Sequence, residues 1–234
     1  MRTLKTIFFY ICFFVLFILG SIILLFWFIF PRNKREASFI ISKIWAKTIL
    51  YLAGIKVEVS GEENLNFSGP KVLVCNHQGN FDIPILMATL PTNFRFLAKI
   101  ELFKIPIFGW HLKNRTDVPI DRKNPLLASK TIMNLSRDLK DNYPILIFPE
   151  GTRSPDGKVA SFKKGSVMLA LETKAQIVPI GISGSYNIQK KGSLLVNPTV
   201  VKVKIGKPIN PDFGDEDLDK TAEYLREIVI SLVE

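Results

Sequence analysis

The sequence is short of the residues on which much side-chain chemistry rests: its 234 residues hold two cysteines, Cys12 and Cys75, and two histidines, His77 and His111. Cys12 lies inside an apolar run and Cys75 closes a strand-like one, so there is no disulfide framework, and the polar part fits a reducing compartment. No spacing of Cys and His matches a metal site, and the acidic stretch at residues 215–219 is expected to cap a helix rather than bind metal, so the chemistry is expected to be metal-independent. Two histidines leave a short list of side-chain bases near neutral pH. A Gly-x-Ser-x-Gly elbow is also missing, although Gly165-Ser166 and Ser183-Gly184-Ser185 come near it, which removes the usual mark of a serine hydrolase. No internal repeat and no low-complexity segment interrupts the chain.

Charge is missing altogether from residues 6–30, a run of 25 positions. As a helix this run would be roughly 37 Å long, against a hydrocarbon core of about 30 Å. Arg2 and Lys5 precede it and Arg32, Lys34 and Arg35 follow, so both ends can anchor among headgroups. A cleaved leader usually has a shorter apolar core and a small-residue site after it, and none stands near Phe30. The run is expected to stay as a membrane anchor. Its length allows it either to span or to tilt within one leaflet. Residues 37–52 then place Phe39, Ile40, Ile44, Trp45, Ile49 and Leu50 at helical spacing, with Lys43 and Lys47 between them. That pattern suits either a core helix or a second, amphipathic helix at the membrane.

From residue 55 the character changes. Short runs rich in β-branched and aromatic residues at 55–59, 71–75, 94–98, 144–148, 177–180 and 199–205 are expected to be strands. Helical stretches at 82–89, 125–140, 165–173 and 216–233 come between or after them. The expected fold class is therefore α/β, a largely parallel mixed sheet flanked by helices. Residues 1–54 would carry the N-terminal hydrophobic membrane helix and the second amphipathic helix, and residues 55–234 the α/β domain. In such sheets chemistry collects at the carboxyl ends of the strands.

Two strand ends carry suitable residues. The run Lys71-Val-Leu-Val-Cys75 leads into Asn76-His77-Gln78-Gly79-Asn80-Phe81-Asp82. On a continuous helix His77 and Asp82 would point about 140° apart. Gln78-Gly79-Asn80 instead suggests a turn, with Asp82 capping the next helix and Pro84 in its first turn. One Asp oxygen could then cap backbone N–H groups while the other orients the imidazole, although spacing alone fits a plain cap and a polar loop residue equally well. The second run, Pro144-Ile-Leu-Ile-Phe148, leads into Pro149-Glu150-Gly151-Thr152-Arg153-Ser154, where a Gly, hydroxyls and a planar guanidinium suit an oxyanion. Cys75 lies two residues before His77, but its place at the end of an apolar strand suits a buried structural thiol. His111, among apolar neighbours, suits packing.

Together, residues 76–82 and 148–154 resemble the glycerolipid acyltransferase family, and within it the bacterial 1-acylglycerol-3-phosphate acyltransferases. Val118-Pro119-Ile120-Asp121-Arg122 and Val178-Pro179-Ile180 match further blocks in order, and Ala98-Lys99-Ile100-Glu101-Leu102 resembles the segment after the first block. The resemblance covers roughly residues 50–210. Gly79, where Ser is frequent, and Val118-Pro119-Ile120, where Gly or bulkier residues are usual, depart from the pattern without touching its His, Asp, Glu or Arg.

The resemblance implies that His77 is a general base oriented by Asp82, and that Arg122 and Arg153, with Lys99, bind an acceptor phosphate. Glu150, Gly151 and Thr152 would shape the glycerol site. The implied reaction moves a fatty acyl group from acyl-CoA or acyl-carrier protein to the sn-2 hydroxyl of a lysophospholipid, 1-acyl-sn-glycerol 3-phosphate, giving phosphatidic acid with no cofactor. Other acceptors, such as glycerol 3-phosphate, another lysophospholipid or a lyso-aminolipid, share that chemistry, and a catalytically inactive phospholipid-binding protein is the non-enzyme alternative. Backbone N–H groups near Gly151 or in the His77 turn are the expected oxyanion donors. Thirty-one Lys and Arg against 21 Asp and Glu give a net charge of +10. That surplus suits anionic membrane lipid and anionic substrates, and no nucleic-acid module accompanies it. The expected location is a bacterial inner membrane with the catalytic domain on the cytoplasmic side.

Overall fold

The computed structural model describes residues 2–28, 34–121, 123–138, 143–189, 192–213 and 217–233. Seven strands, β1 (Lys56–Ser60), β2 (Lys71–Cys75), β3 (Arg95–Lys99), β4 (Val118–Ile120), β5 (Ile145–Ile147), β6 (Gln176–Ser183) and β7 (Val200–Ile205), form one sheet in the order β1-β7-β6-β2-β5-β3-β4. The five strands from β6 to β4 run parallel, while β7 is antiparallel to β6 and carries β1 parallel to itself. The largely parallel mixed sheet expected from the sequence is present. The helices are α1 (Arg2–Phe28), α2 (Lys34–Leu52), α3 (Asp82–Thr89), α4 (Phe108–Asn114), α5 (Pro125–Asp138), α6 (Lys164–Thr173) and α7 (Leu218–Leu232).

Alternation along the central strands builds the two faces. Leu73, Cys75, Leu146, Val178, Ile180 and Ile182 point into one core with α2 and α3. Val72, Val74, Ile145, Ile147 and Ile177 point into the other, beneath α5, α6 and α7. Both faces of β2 are apolar because both are covered, as a central parallel strand requires. Two elements were not expected. β4 has three residues, one of them Pro119, and survives at the sheet edge, where a missing N–H costs no ladder bond. α4 spans seven residues that include Gly109, too few to show a helical period.

Residues 3–25 of α1 are long and apolar enough to cross a membrane. One side of the helix rests on the domain: Phe9 and Leu24 are buried, the Phe9 ring lies 5.9 Å from Phe81, and Phe13 meets Trp45 of α2 edge-on at 5.2 Å. Ser21 Oγ pairs with His111 Nε2 at 2.8 Å, so His111 is a packing residue that ties α4 to α1. The other side exposes Ile7, Ile11, Phe14, Ile18 and Ile22. α2 divides likewise, burying Phe39, Ala46, Ile49 and Leu50 while exposing Ile40, Ile44 and Tyr51. It is a core helix on one face and offers apolar side chains on the other.

A buried ion pair fixes the turn that carries β4 back to β3. Arg115 Nε lies 3.1 Å from Asp117 Oδ2, with the two side chains 4% and 0% exposed. Asp117 Oδ1 accepts from Phe96 N at 2.8 Å, Arg115 Nη2 donates to Phe94 O at 3.0 Å, and the guanidinium covers the Phe39 ring of α2. Burial pushes the Asp117 carboxyl upward, and the Arg115 charge opposes that shift. Removing Arg115 leaves the Asp117 carboxyl buried without the guanidinium that opposes its desolvation. Arg115→Ala is expected to lower unfolding stability by about 3–5 kcal/mol, measured as a shifted denaturation midpoint in detergent.

Candidate active site

The topology brings three loops together. β2 lies between β5 and β6, and all three run parallel, so the segments leaving their carboxyl ends share one rim. Asn76 fastens the β2 exit to β6: its Nδ2 donates to Ile182 O at 2.9 Å and its Oδ1 accepts from Ile182 N at 2.7 Å. Gln78 fastens the turn further, donating to Gly157 O at 3.0 Å and accepting from Ser185 Oγ at 3.2 Å.

His77 is held from every side but one. Its Nδ1 lies 2.7 Å from Asp82 Oδ2, and the side chains are 13% and 0% exposed. The same Asp82 oxygen accepts from Gln78 N at 2.7 Å and Gly79 N at 2.8 Å. Asp82 is therefore not the forward-facing cap expected from the sequence. It is the first residue of α3, and it reaches back to close the turn that carries His77. Three donors converge on Oδ2, while Oδ1 is buried with no hydrogen-bond partner among the described residues. The Phe148 ring stacks on the imidazole at 4.1 Å between centroids and 17° between planes. With Nδ1 bound to Asp82, Nε2 is the nitrogen left for a substrate proton.

Glu150 holds the backbone of His77. Its carboxylate is buried, with Oε1 accepting from His77 N at 2.7 Å and Oε2 from Ala160 N at 3.0 Å. Burial pushes its pKa up, opposed by those two N–H groups. Ser154 N donates to His77 O at 2.8 Å, so the loop after β5 grips both sides of the His77 peptide. Gly151 sits at φ 71°, and a Cβ there would meet the Lys163 side chain, with Nζ at 2.8 Å. A β-carbon at this position would push the ammonium away. Thr152 is exposed on the same loop. Arg153 Nη1 donates to Asn80 Oδ1 at 2.7 Å, across from the His77 turn.

The remaining candidates fall differently. Lys99 ends β3 on the same rim, but its ammonium lies 3.4 Å from Glu101 Oε1, which Lys123 also approaches. Arg122 lies outside the described residues. Of the backbone donors expected for an oxyanion, three are engaged: Gly151 N donates to Phe148 O, and the Gln78 and Gly79 N–H groups serve Asp82. Cys75 is fully buried, and burial, with the Asp82 and Glu150 charges, pushes its thiol well up. That removes the thiolate a Cys–His mechanism needs. Sequence reasoning gave no role to Phe148, Asn80 or Lys163. The first two lie within the quoted motifs, and Lys163 is the residue just before α6.

Fold and site together define an α/β domain that presents a His–Asp pair and a basic, glycine-containing loop at the ends of adjacent parallel strands. The chain belongs to the Acyltransferase family, whose model matches residues 56–183. It is 36% identical over 189 residues to a chloroplastic 1-acyl-sn-glycerol-3-phosphate acyltransferase of Arabidopsis thaliana, covering 80% of this chain and 52% of that protein. The protein of that name from Borreliella burgdorferi is 30% identical over 196 residues, covering 84% and 76%. The crystal structure of the 1-acyl-sn-glycerophosphate acyltransferase PlsC from Thermotoga maritima superposes with a TM-score of 0.83 at 31% identity, covering 97% of this chain and 92% of that one. The chain thus spans little more than half the length of the plant relatives.

Two substitutions separate positioning from chemistry. Glu150→Gln turns an amide N–H₂ toward a backbone N–H that needs an acceptor. It is expected to cut kcat/KM about tenfold to a hundredfold by loosening His77, measured in an acyl-transfer assay. Cys75→Ala is expected to keep transfer within about threefold of the unaltered protein in the same assay, because the thiol takes no part in chemistry.

Proposed function

We propose that this chain is a membrane-associated 1-acylglycerol-3-phosphate O-acyltransferase of phospholipid biosynthesis. It moves a fatty acyl group from a thioester donor, acyl-CoA or acyl-carrier protein, to the sn-2 hydroxyl of 1-acyl-sn-glycerol 3-phosphate, giving phosphatidic acid. The observation that carries this reading is the Asp82–His77 contact, with Nε2 open beside a loop bearing Arg153 and Lys163. The names and coverage of the relatives support the choice of acceptor.

The acceptor hydroxyl attacks the thioester carbonyl carbon while His77 Nε2 takes its proton. The nascent imidazolium is stabilised by Asp82 at Nδ1 and by the Phe148 face. The tetrahedral intermediate collapses with cleavage of the C–S bond, and the departing thiolate recovers the proton from His77. A thioester is already activated, so no acyl-enzyme is needed. Arg153 and Lys163 hold the acceptor phosphate, together with Arg122 on the strength of the resemblance. Glu150 acts through His77, and Gly151 and Thr152 border the acceptor.

The anchoring part, residues 1–54, brings this site to lipid. The exposed apolar faces of α1 and α2 lie on one side of the sheet, where Phe148 also packs. A lysophospholipid can therefore keep its acyl chain in the bilayer while its glycerol reaches His77, and the net positive charge favours an anionic membrane surface. The free thiols Cys12 and Cys75 and the nature of both acyl donors favour the cytoplasmic side of a bacterial inner membrane.

An acceptor panel tests the assignment: purified protein with labelled acyl-CoA and, in parallel, lysophosphatidic acid, glycerol 3-phosphate or lysophosphatidylcholine. Transfer is expected to be strongest to lysophosphatidic acid. Preference for another acceptor would keep the His–Asp chemistry and overturn the substrate. Asp82→Asn is expected to lower kcat on the order of 10²–10⁴-fold with a far smaller change in KM, in steady-state kinetics with the preferred acceptor.

A further inference from the structure

Arg153 is joined to the membrane helix by an unbroken file of hydrogen bonds. Its Nη1 donates to Asn80 Oδ1 at 2.7 Å, Asn80 Nδ2 donates to Gln189 Oε1 at 3.1 Å, and Gln189 Nε2 donates to the Tyr10 hydroxyl at 2.8 Å. Four residues from four distant stretches are involved: the loop after β5, the turn after β2, the segment following β6, and α1.

The chemistry of the first member orders the rest. A guanidinium has donors and no acceptor, so Asn80 must present its oxygen to Arg153 and its amide N–H₂ outward. Gln189 must then answer with its oxygen, which turns its own N–H₂ toward Tyr10, and the phenol accepts. Each amide has one orientation that satisfies both neighbours. Among the described residues Asn80 is the only hydrogen-bonding partner of the Arg153 side chain, which leaves four of its five N–H donors for a ligand. Tyr10 is itself fixed, with the Phe9 ring edge-on at 5.3 Å and the Phe13 ring at 6.5 Å. Phe9 in turn packs on Phe81, next to Asn80 in sequence, so α1 and the His77 turn meet at two adjacent points.

We propose that Asn80, Gln189 and Tyr10 are positioning residues of the acceptor site: they preorganise Arg153 for a phosphomonoester and make acceptor affinity depend on how α1 is seated. The proposal rests on the reading of Arg153 as a phosphate ligand. A half-buried arginine with no fixed partner still samples several rotamers, and that freedom is lost when the anion binds. Holding the guanidinium through a neutral amide sets its direction and keeps its charge for the ligand. The file begins on the helix that meets lipid. α1 is then a structural part of the site as well as an anchor.

The test uses full-length protein reconstituted in phospholipid vesicles, with kcat and KM measured for lysophosphatidic acid and for phosphate-free monoacylglycerol. Arg153→Ala comes first and should raise KM for lysophosphatidic acid while leaving monoacylglycerol unaffected. If it does not, the phosphate-ligand reading falls, and this proposal with it. Asn80→Ala should raise KM for lysophosphatidic acid about five- to tenfold, and Tyr10→Phe about two- to threefold, with kcat kept and monoacylglycerol unchanged. Asn80→Asp keeps a bond to Arg153 but neutralises it, so KM should rise at least as much as for Asn80→Ala. Tyr10→Phe should add nothing in an Arg153→Ala background. A KM effect for Arg153→Ala combined with unaltered KM for Asn80→Ala and Tyr10→Phe would overturn the proposal and leave the phosphate reading standing. Rescue of KM by Asn80→Asp, or an equal loss of kcat on both acceptors, would also overturn it.

Discussion

An imidazole can take a proton from a weakly acidic alcohol only if one nitrogen stays open and the other is committed to a group that welcomes the resulting charge. In this protein that commitment is the 2.7 Å contact between His77 Nδ1 and Asp82 Oδ2. Much of the site's architecture exists to keep it. The Asp82 oxygen also binds the Gln78 and Gly79 N–H groups, so the turn that aims the ring and the bond that orients it are one structure. Glu150 and Ser154 hold the peptide of His77 from the neighbouring loop, and Phe148 fixes the plane of the ring. That arrangement requires β5 to lie directly beside β2, which the crossover topology provides.

The same topology decides which side of the sheet the site shares with α1. His77 continues the alternation of Leu73 and Cys75, residues that face α2 and α3, and its stacking partner Phe148 packs against that core. The covering layer on this side ends in α1, whose outer surface is apolar over more than four turns. The strand end that carries His77 and the apolar outer surface of α1 therefore lie on one side of the sheet. Two cations sit on the loop after β5: the Arg153 guanidinium donates to Asn80, and the Lys163 ammonium lies over Gly151.

Much of this was legible in the residues. Hydrophobic alternation and β-branched runs located six of the seven strands. The two strand-end motifs named His77, Asp82, Glu150 and Arg153 because strand, turn and polar residue follow one another locally. What escaped was long-range or too short to repeat. β4 is three residues stabilised by its neighbour in the sheet, and α4 is two turns packed against α1. Spacing made Asp82 a cap, whereas the turn folds its carboxylate backward, a choice set by three converging donors. The hydrogen bonds that Glu150 accepts come from backbone N–H groups 73 and 10 residues away, which no local pattern marks. Lys99, expected to serve a phosphate, stands at the end of β3 with its ammonium near Glu101. The link from Tyr10 to Arg153 crosses four stretches of chain, and no local pattern encodes it.

The central claim is that the open nitrogen of His77 removes the acceptor proton during direct transfer. Single-turnover acyl transfer from labelled acyl-CoA to lysophosphatidic acid, compared between the unaltered protein and His77→Ala, tests it most directly, with circular dichroism and vesicle binding showing that the variant is folded and seated on lipid. The account predicts a loss on the order of 10²–10⁴-fold or more in the transfer rate at saturating substrates. Transfer by the folded variant at a rate near that of the unaltered protein would contradict it.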